Sequence, residues 1–96
     1  MEREARCLLN LVVSGRVQGV GFRYFTVHRA RAHGIAGWVK NRYDGKVEIE
    51  AEGVRGDLEL FLAEIRSGPS SSHVTHVSED WREISKPVHV GFSIAY

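Results

Sequence analysis

The chain has 96 residues, 43% of them hydrophobic and 26% charged, and its 13 Lys and Arg against 12 Asp and Glu leave a net charge of +1. That length suits one domain with one modest core, and the near-neutral balance argues against a nucleic-acid binder relying on bulk electrostatics. Cys7 is the only cysteine, so no intrachain disulfide forms, and no stretch approaches the roughly 20 apolar residues that span a bilayer. A soluble, cytoplasmic protein without membrane contact is expected.

Residues 1–6 read as a charged N-terminal extension to a domain covering 7–96. The apolar run from Leu8 to Val13 predicts a first strand, with Leu9, Leu11 and Val13 alternating with Asn10, Val12 and Ser14. A loop with glycines at 15, 19 and 21 follows. From Phe22 to about His33 nothing breaks a helix, and Gly34 suits its left-handed termination. Phe22, Thr26 and Ala30 lie at i, i+4 and i+8, a narrow stripe able to press onto a sheet. Phe25 falls off that stripe without a sequence reason.

Gly37 to Asn41 reads as a second strand, and Tyr43-Asp44-Gly45-Lys46 as a hairpin turn. A third strand alternates Val47, Ile49 and Ala51 inward with Glu48, Glu50 and Glu52 outward as a solvated stripe. Val54, Leu58, Phe61, Leu62 and Ile65 share one face of a second helix, with Asp57 and Glu59 near its positive end. Gly68-Pro69 ends it. Ser70 to Ser72 form a polar loop, then come a strand around Val74 to Trp81, a turn at Lys86-Pro87, and a last strand with Phe92, Ile94 and Tyr96 on one side. The βαββαβ order predicts a ferredoxin-like α+β sandwich, an antiparallel sheet with two helices on one face.

The loop between the first strand and first helix carries the strongest chemical signal. Glycines let a backbone turn sharply and approach a ligand. Unpaired N–H groups at a helix start attract anions. Arg23 adds a planar fork of donors suited to phosphate or carboxylate. The alternative is that the glycines only make a corner. Two familiar phosphate motifs are excluded. A Walker A pattern begun at Gly15 needs Gly-Lys where Val20-Gly21 stand, and the dinucleotide fingerprint begun at Gly19 ends on Tyr24 instead of glycine.

Candidate catalysts are few. A cysteine phosphatase loop counted from Cys7 has Val13 in the arginine's place, so Cys7 reads as a structural or surface thiol. A contiguous Arg-His-Gly is interrupted by Ala32, and His33 instead suits the negative end of the first helix. His73 and His76, three apart on a strand, point to opposite faces and make a poor metal pair. His28 and His89 lack a suitable neighbour. What remains is a phosphate cradle, an arginine and polar amides. That set suffices for an acyl phosphate, whose carboxylate leaves without a general acid, through a loose phosphoryl-transfer transition state.

Gly15-Arg16-Val17-Gln18-Gly19-Val20-Gly21-Phe22-Arg23 resembles a signature of the acylphosphatase family. Gly37-Trp38-Val39-Lys40-Asn41-Arg42-Tyr43-Asp44-Gly45-Lys46-Val47, followed by Gly53, resembles the family's second signature. Gly68-Pro69 and the terminal Phe92-Ser93-Ile94-Ala95-Tyr96 also fit, so the resemblance spans about residues 7–96. Ser70 to Asp80 departs from it, with serines and histidines replacing more apolar residues. The resemblance implies hydrolysis of acyl phosphates to carboxylate and inorganic phosphate. Backbone amides of Gln18, Gly19, Val20, Gly21, Phe22 and Arg23 would bind the phosphoryl group with the Arg23 side chain, and Asn41 would orient the attacking water. No metal, cofactor or covalent intermediate is implied. The bland readings are a surface helix residue for Arg23 and a turn former for Asn41.

The expected partners are the acyl phosphate and inorganic phosphate as product and inhibitor, with the protein a monomer. A module that binds acyl or carbamoyl phosphate without turnover is the alternative, because such domains also head larger hydrogenase-maturation carbamoyltransferases. RNA binding on the sheet is disfavoured: the aromatic RNA-binding motif is missing, and three glutamates on the third strand would repel phosphates.

Overall fold

Alternating apolar residues and helix stripes resolve into seven elements across residues 5–96, which the computed structural model describes. These are β1 (Arg6–Arg16), α1 (Phe22–Ala32), β2 (Ala36–Asn41), β3 (Val47–Val54), α2 (Arg55–Ser67), β4 (His73–Glu83) and β5 (Phe92–Ile94). Of the extension expected at residues 1–6, the first four lie outside the described residues, and Arg6 belongs to β1.

The strands form one sheet in the order β4-β1-β3-β2-β5. Leu9, Leu11 and Val13 of β1 are fully buried, as are Val39 of β2 and Ile49 of β3. The Phe22–Thr26–Ala30 stripe of α1 and Leu58, Phe61, Leu62 and Ile65 of α2 cover them, giving the two-helix ferredoxin-like sandwich. Thr26 is tolerated at full burial because its hydroxyl donates to the Phe22 carbonyl at 2.9 Å. Phe25 also has its reason: its ring centroid lies 6.0 Å from that of Phe22, at the margin of the core. Between the helices, Arg29 donates through Nε and one terminal nitrogen to both oxygens of Glu64, at 2.9 and 2.8 Å. That bond, aided by His33, holds the Glu64 carboxyl below its ordinary range despite opposing desolvation.

The sheet differs from the antiparallel expectation at one edge. The β1–β3, β1–β4 and β2–β3 pairs are antiparallel, but β5 runs parallel to β2, so the sheet is mixed. The chain leaves β4 at one edge and crosses the same end of the sheet, so β5 must rise on the far edge alongside β2.

That crossing also corrects the solvated glutamate stripe. Glu52 faces away from the helices yet is fully buried, because the crossing segment lies over it. Its Oε1 accepts from the N–H groups of Val88 and His89 at 2.8 and 2.7 Å, and its Oε2 accepts from Arg6 at 2.9 Å. Burial raises the Glu52 carboxyl, but these donors outweigh it and hold the group below its ordinary range. His89 has a neighbour after all: its Nε2 lies 2.6 Å from Glu50. Glu48 accepts from Asn10 at 3.1 Å.

Removing a buried, multiply bonded carboxylate orphans its donors, so Glu52→Ala should cost about 3 kcal/mol in denaturant unfolding. Because Glu52 and Glu64 titrate below their unfolded values, their stabilisation is complete above the unfolded Glu value of about pH 4.3 and disappears as pH falls through the lower folded values. Thermal unfolding followed from pH 6 to pH 2 should show this loss, and Glu52→Gln should make it shallower.

Candidate active site

Three loops meet at one end of the sheet: the β1–α1 loop, the β2–β3 hairpin and the α2–β4 loop. The first owes its shape to glycine. The β1–β4 register slips between Ser14 and Gly15, where Gly15 has φ +119° and a Cβ would collide with the His73 carbonyl oxygen. Val17 then turns inward and is buried, anchoring the chain as it leaves the sheet. Gly19 and Gly21 take φ +73° and +78°, a region costly for residues with a Cβ.

Gly21 caps α1 without a side chain, and the first helical bond runs from the Phe25 N–H to its carbonyl at 3.0 Å. The N–H groups ahead of Phe25 therefore have no partner within the helix. Among the described residues, none from Gln18 to Tyr24 donates to a turn, loop or cap carbonyl. The first turn of α1 carries no acid, so the positive end of its dipole stands uncompensated.

A cavity of about 220 Å³ lies over this helix start, lined by Val17, Gly19, Gly21, Phe22, Arg23, Tyr24 and Asn41. Arg23 is half-buried, and among the described residues it enters no ion pair or side-chain hydrogen bond; its guanidinium carbon lies 6.0 Å from the centroid of the Tyr96 ring. Asn41, the exposed last residue of β2, reaches the cavity from across the sheet end. The structure thus brings Gly19, Gly21, Phe22, Arg23 and Asn41 together. Gln18 and Val20 fall outside the lining. Val20 packs against the core, and the Gln18 side chain turns to the hairpin.

Sequence reading missed two lining residues, Val17 inside the motif it singled out and Tyr24 directly after its end. It also missed Ser71, whose hydroxyl donates to the Val20 carbonyl at 2.9 Å. No local signal marks that serine, since the contact spans 51 positions. The hairpin closes as expected: Gly45 has φ +86°, and Asp44 accepts from the Lys46 N–H at 3.2 Å. That bond, with Arg42 and Lys46 adding charge, holds the Asp44 carboxyl below its ordinary range. Cys7 is buried in the core. No helix is long and apolar enough to cross a membrane among the described residues.

A family model described as Acylphosphatase matches residues 9–94. The chain belongs to the acylphosphatase family. A relative from Bacillus velezensis named acylphosphatase is 47% identical over 87 residues, covering 91% of this chain and 96% of that protein. The crystal structure of acylphosphatase from Bacillus subtilis superposes with a TM-score of 0.89 at 46% identity, over 94% of this chain and 99% of that one. The crystal structure of T. kodakarensis HypF matches at TM-score 0.80 and 28% identity over 93% of this chain, but over only 12% of its own. As an acylphosphatase, the protein is a hydrolase of acyl phosphates, producing inorganic phosphate. Relatives of its own length are named for hydrolysis, which does not favour binding without turnover.

Gly15→Ala should destabilise the fold by about 2 kcal/mol or more, because backbone must move to admit the methyl group. Gly19→Ala meets open space and should cost only about 1 kcal/mol of left-handed strain. Urea unfolding of both variants checks the order.

Proposed function

We propose that this acylphosphatase works by direct, in-line attack of water on phosphorus, with the phosphoryl group held in the cavity at the start of α1. The observation carrying this reading is that Gly19, Gly21, Phe22, Arg23 and Asn41 line one 220 Å³ space at a helix start whose amides lack backbone partners. The amides of Gln18 to Arg23 and the Arg23 side chain hold the phosphoryl oxygens, and they gain strength as charge gathers there in the transition state. The Asn41 carboxamide offers both a donor and an acceptor and so orients a water.

No general acid is needed. The leaving group is a carboxylate whose parent acid has a pKa of about 4 to 5, so it departs unprotonated. The loose transition state demands little of the nucleophile, and positioning with electrostatics supplies the rate. In-line displacement sets the acyl group on the side of phosphorus opposite the water. Recognition therefore centres on the phosphoryl end, and many acyl groups are accepted. A broader hollow of about 610 Å³, lined in part by Lys40, Arg42 and Tyr96, shares Asn41 with this site.

The proposed reaction calls on no group beyond Gln18 to Arg23 and Asn41, and we propose that the protein acts as a monomer. A single buried thiol suits a reducing, cytoplasmic setting. Neither metal nor cofactor enters the mechanism.

Hydrolysis of benzoyl phosphate tests the reading. Arg23→Ala and Asn41→Ala should each lower kcat/KM by about a hundred- to a thousandfold, the usual cost of losing a preorganised donor, with unfolding midpoints unchanged. Inorganic phosphate should inhibit competitively, excess chelator should leave the rate intact, and an alkyl phosphate monoester should not be turned over comparably. Near-wild-type activity in Asn41→Ala would discard the role given to that residue.

A further inference from the structure

We infer that the Gln18 side chain is a positioning residue, a clamp that fixes the phosphate loop against the strand end carrying Asn41; this rests on the mechanism proposed above. Gln18 Nε2 donates to the Arg42 carbonyl at 2.8 Å and to the Lys46 carbonyl at 2.9 Å. A carboxamide nitrogen carries two hydrogens, and both are used. The two acceptors stand on opposite strands of the hairpin neck, where the Arg42 N–H also donates to the Lys46 carbonyl at 2.9 Å. Arg42 directly follows Asn41.

The sheet order makes this contact matter. β1, which feeds the phosphate loop, and β2, which ends at Asn41, do not pair, because β3 lies between them. Ladder bonds therefore set the loop-to-Asn41 distance only through an intermediate strand. Among the described residues, the two bonds from Gln18 are the hydrogen bonds that join loop 17–21 directly to segment 41–46. Phosphorus sits on one side of that junction and the water on the other, so a drift there misaligns the attack. A neutral donor also suits the place, since a carboxylate of the same length would face two carbonyl oxygens with no hydrogen to offer.

Benzoyl phosphate kinetics of Gln18→Met and Gln18→Glu, alone and combined with Asn41→Ala, test the clamp. Gln18→Met keeps the length and loses the donors. It should lower kcat roughly tenfold to a hundredfold, the scale of a misplacement near 1 Å. Competitive inhibition by inorganic phosphate should hardly change, because the cradle lies within the loop itself. In the Asn41→Ala background the same substitution should alter kcat by no more than about twofold, as no oriented water remains to be misplaced. Gln18→Glu should be slower than Gln18→Met at pH 7. That gap should close as pH falls through the ordinary carboxyl value of about 4.3, where a protonated carboxyl regains one donor. An unchanged kcat in Gln18→Met, equal losses in both backgrounds, or a loss carried by the phosphate inhibition constant would overturn the clamp. If Gln18→Met does not fold, the pH profile of Gln18→Glu decides, and a flat profile overturns it. Full activity in Asn41→Ala alone would instead sink the parent mechanism.

Discussion

An anion site made of peptide N–H groups exists only where those groups are denied their usual partners. Here the denial is conformational. Positive φ at Gly19 and Gly21 turns the chain out of β1 and starts α1 abruptly, so the amides ahead of Phe25 meet no carbonyl. An alanine at either position would strain the backbone, and a side-chain cap at Gly21 would occupy an amide that the proposed cradle leaves open. The buried Val17 beneath the loop and the Ser71 bond to the Val20 carbonyl hold the turn from below and from the side. Arg23 then adds charge to a dipole already aligned.

The remaining contribution comes from across the sheet. The role proposed for Asn41 depends on β2 ending level with the start of α1, and the β4-β1-β3-β2-β5 order brings that about. With β3 separating the two contributing strands, the cradle and Asn41 belong to pieces of backbone that touch through the hairpin neck. Gln18 is the residue of the loop whose side chain bridges this gap, with bonds to the Arg42 and Lys46 carbonyls. At the other end of the sheet, buried Glu52 fastens the segment that carries the chain from β4 to β5. β5 in turn covers the free edge of β2, with Phe92 opposite Gly37 and Ile94 opposite Val39. The two ends divide the labour between stability and chemistry.

Much of this was legible in the chain. The alternation of Leu9, Leu11 and Val13, the three-residue stripe of α1 and the broad apolar face of α2 are local periodicities, and tertiary packing kept all three. The Asp-Gly turn and the stop at Gly34 followed from backbone preference. Glu52 misled because alternation tells which face a side chain takes, and says nothing of what later crosses that face. His89 was misread for the same reason: its partner, Glu50, is 39 positions away. The direction of β5 depends on which end of the sheet the connection crosses, and no local pattern encodes that.

The residues alone determined the one-domain α+β layout, the glycine-shaped loop and the presence of an arginine where a helix begins, because these rest on periodicity and φ preference within a few neighbours. Family likeness then attached a reaction to that loop. Only the folded chain decided which side chains close the site. The meeting of Asn41 with Arg23, the bonds of Gln18 to Arg42 and Lys46, and the burial of Glu52 each join residues far apart in sequence. Contacts of that kind are set by strand order and by the path of the connections, which no window of sequence contains.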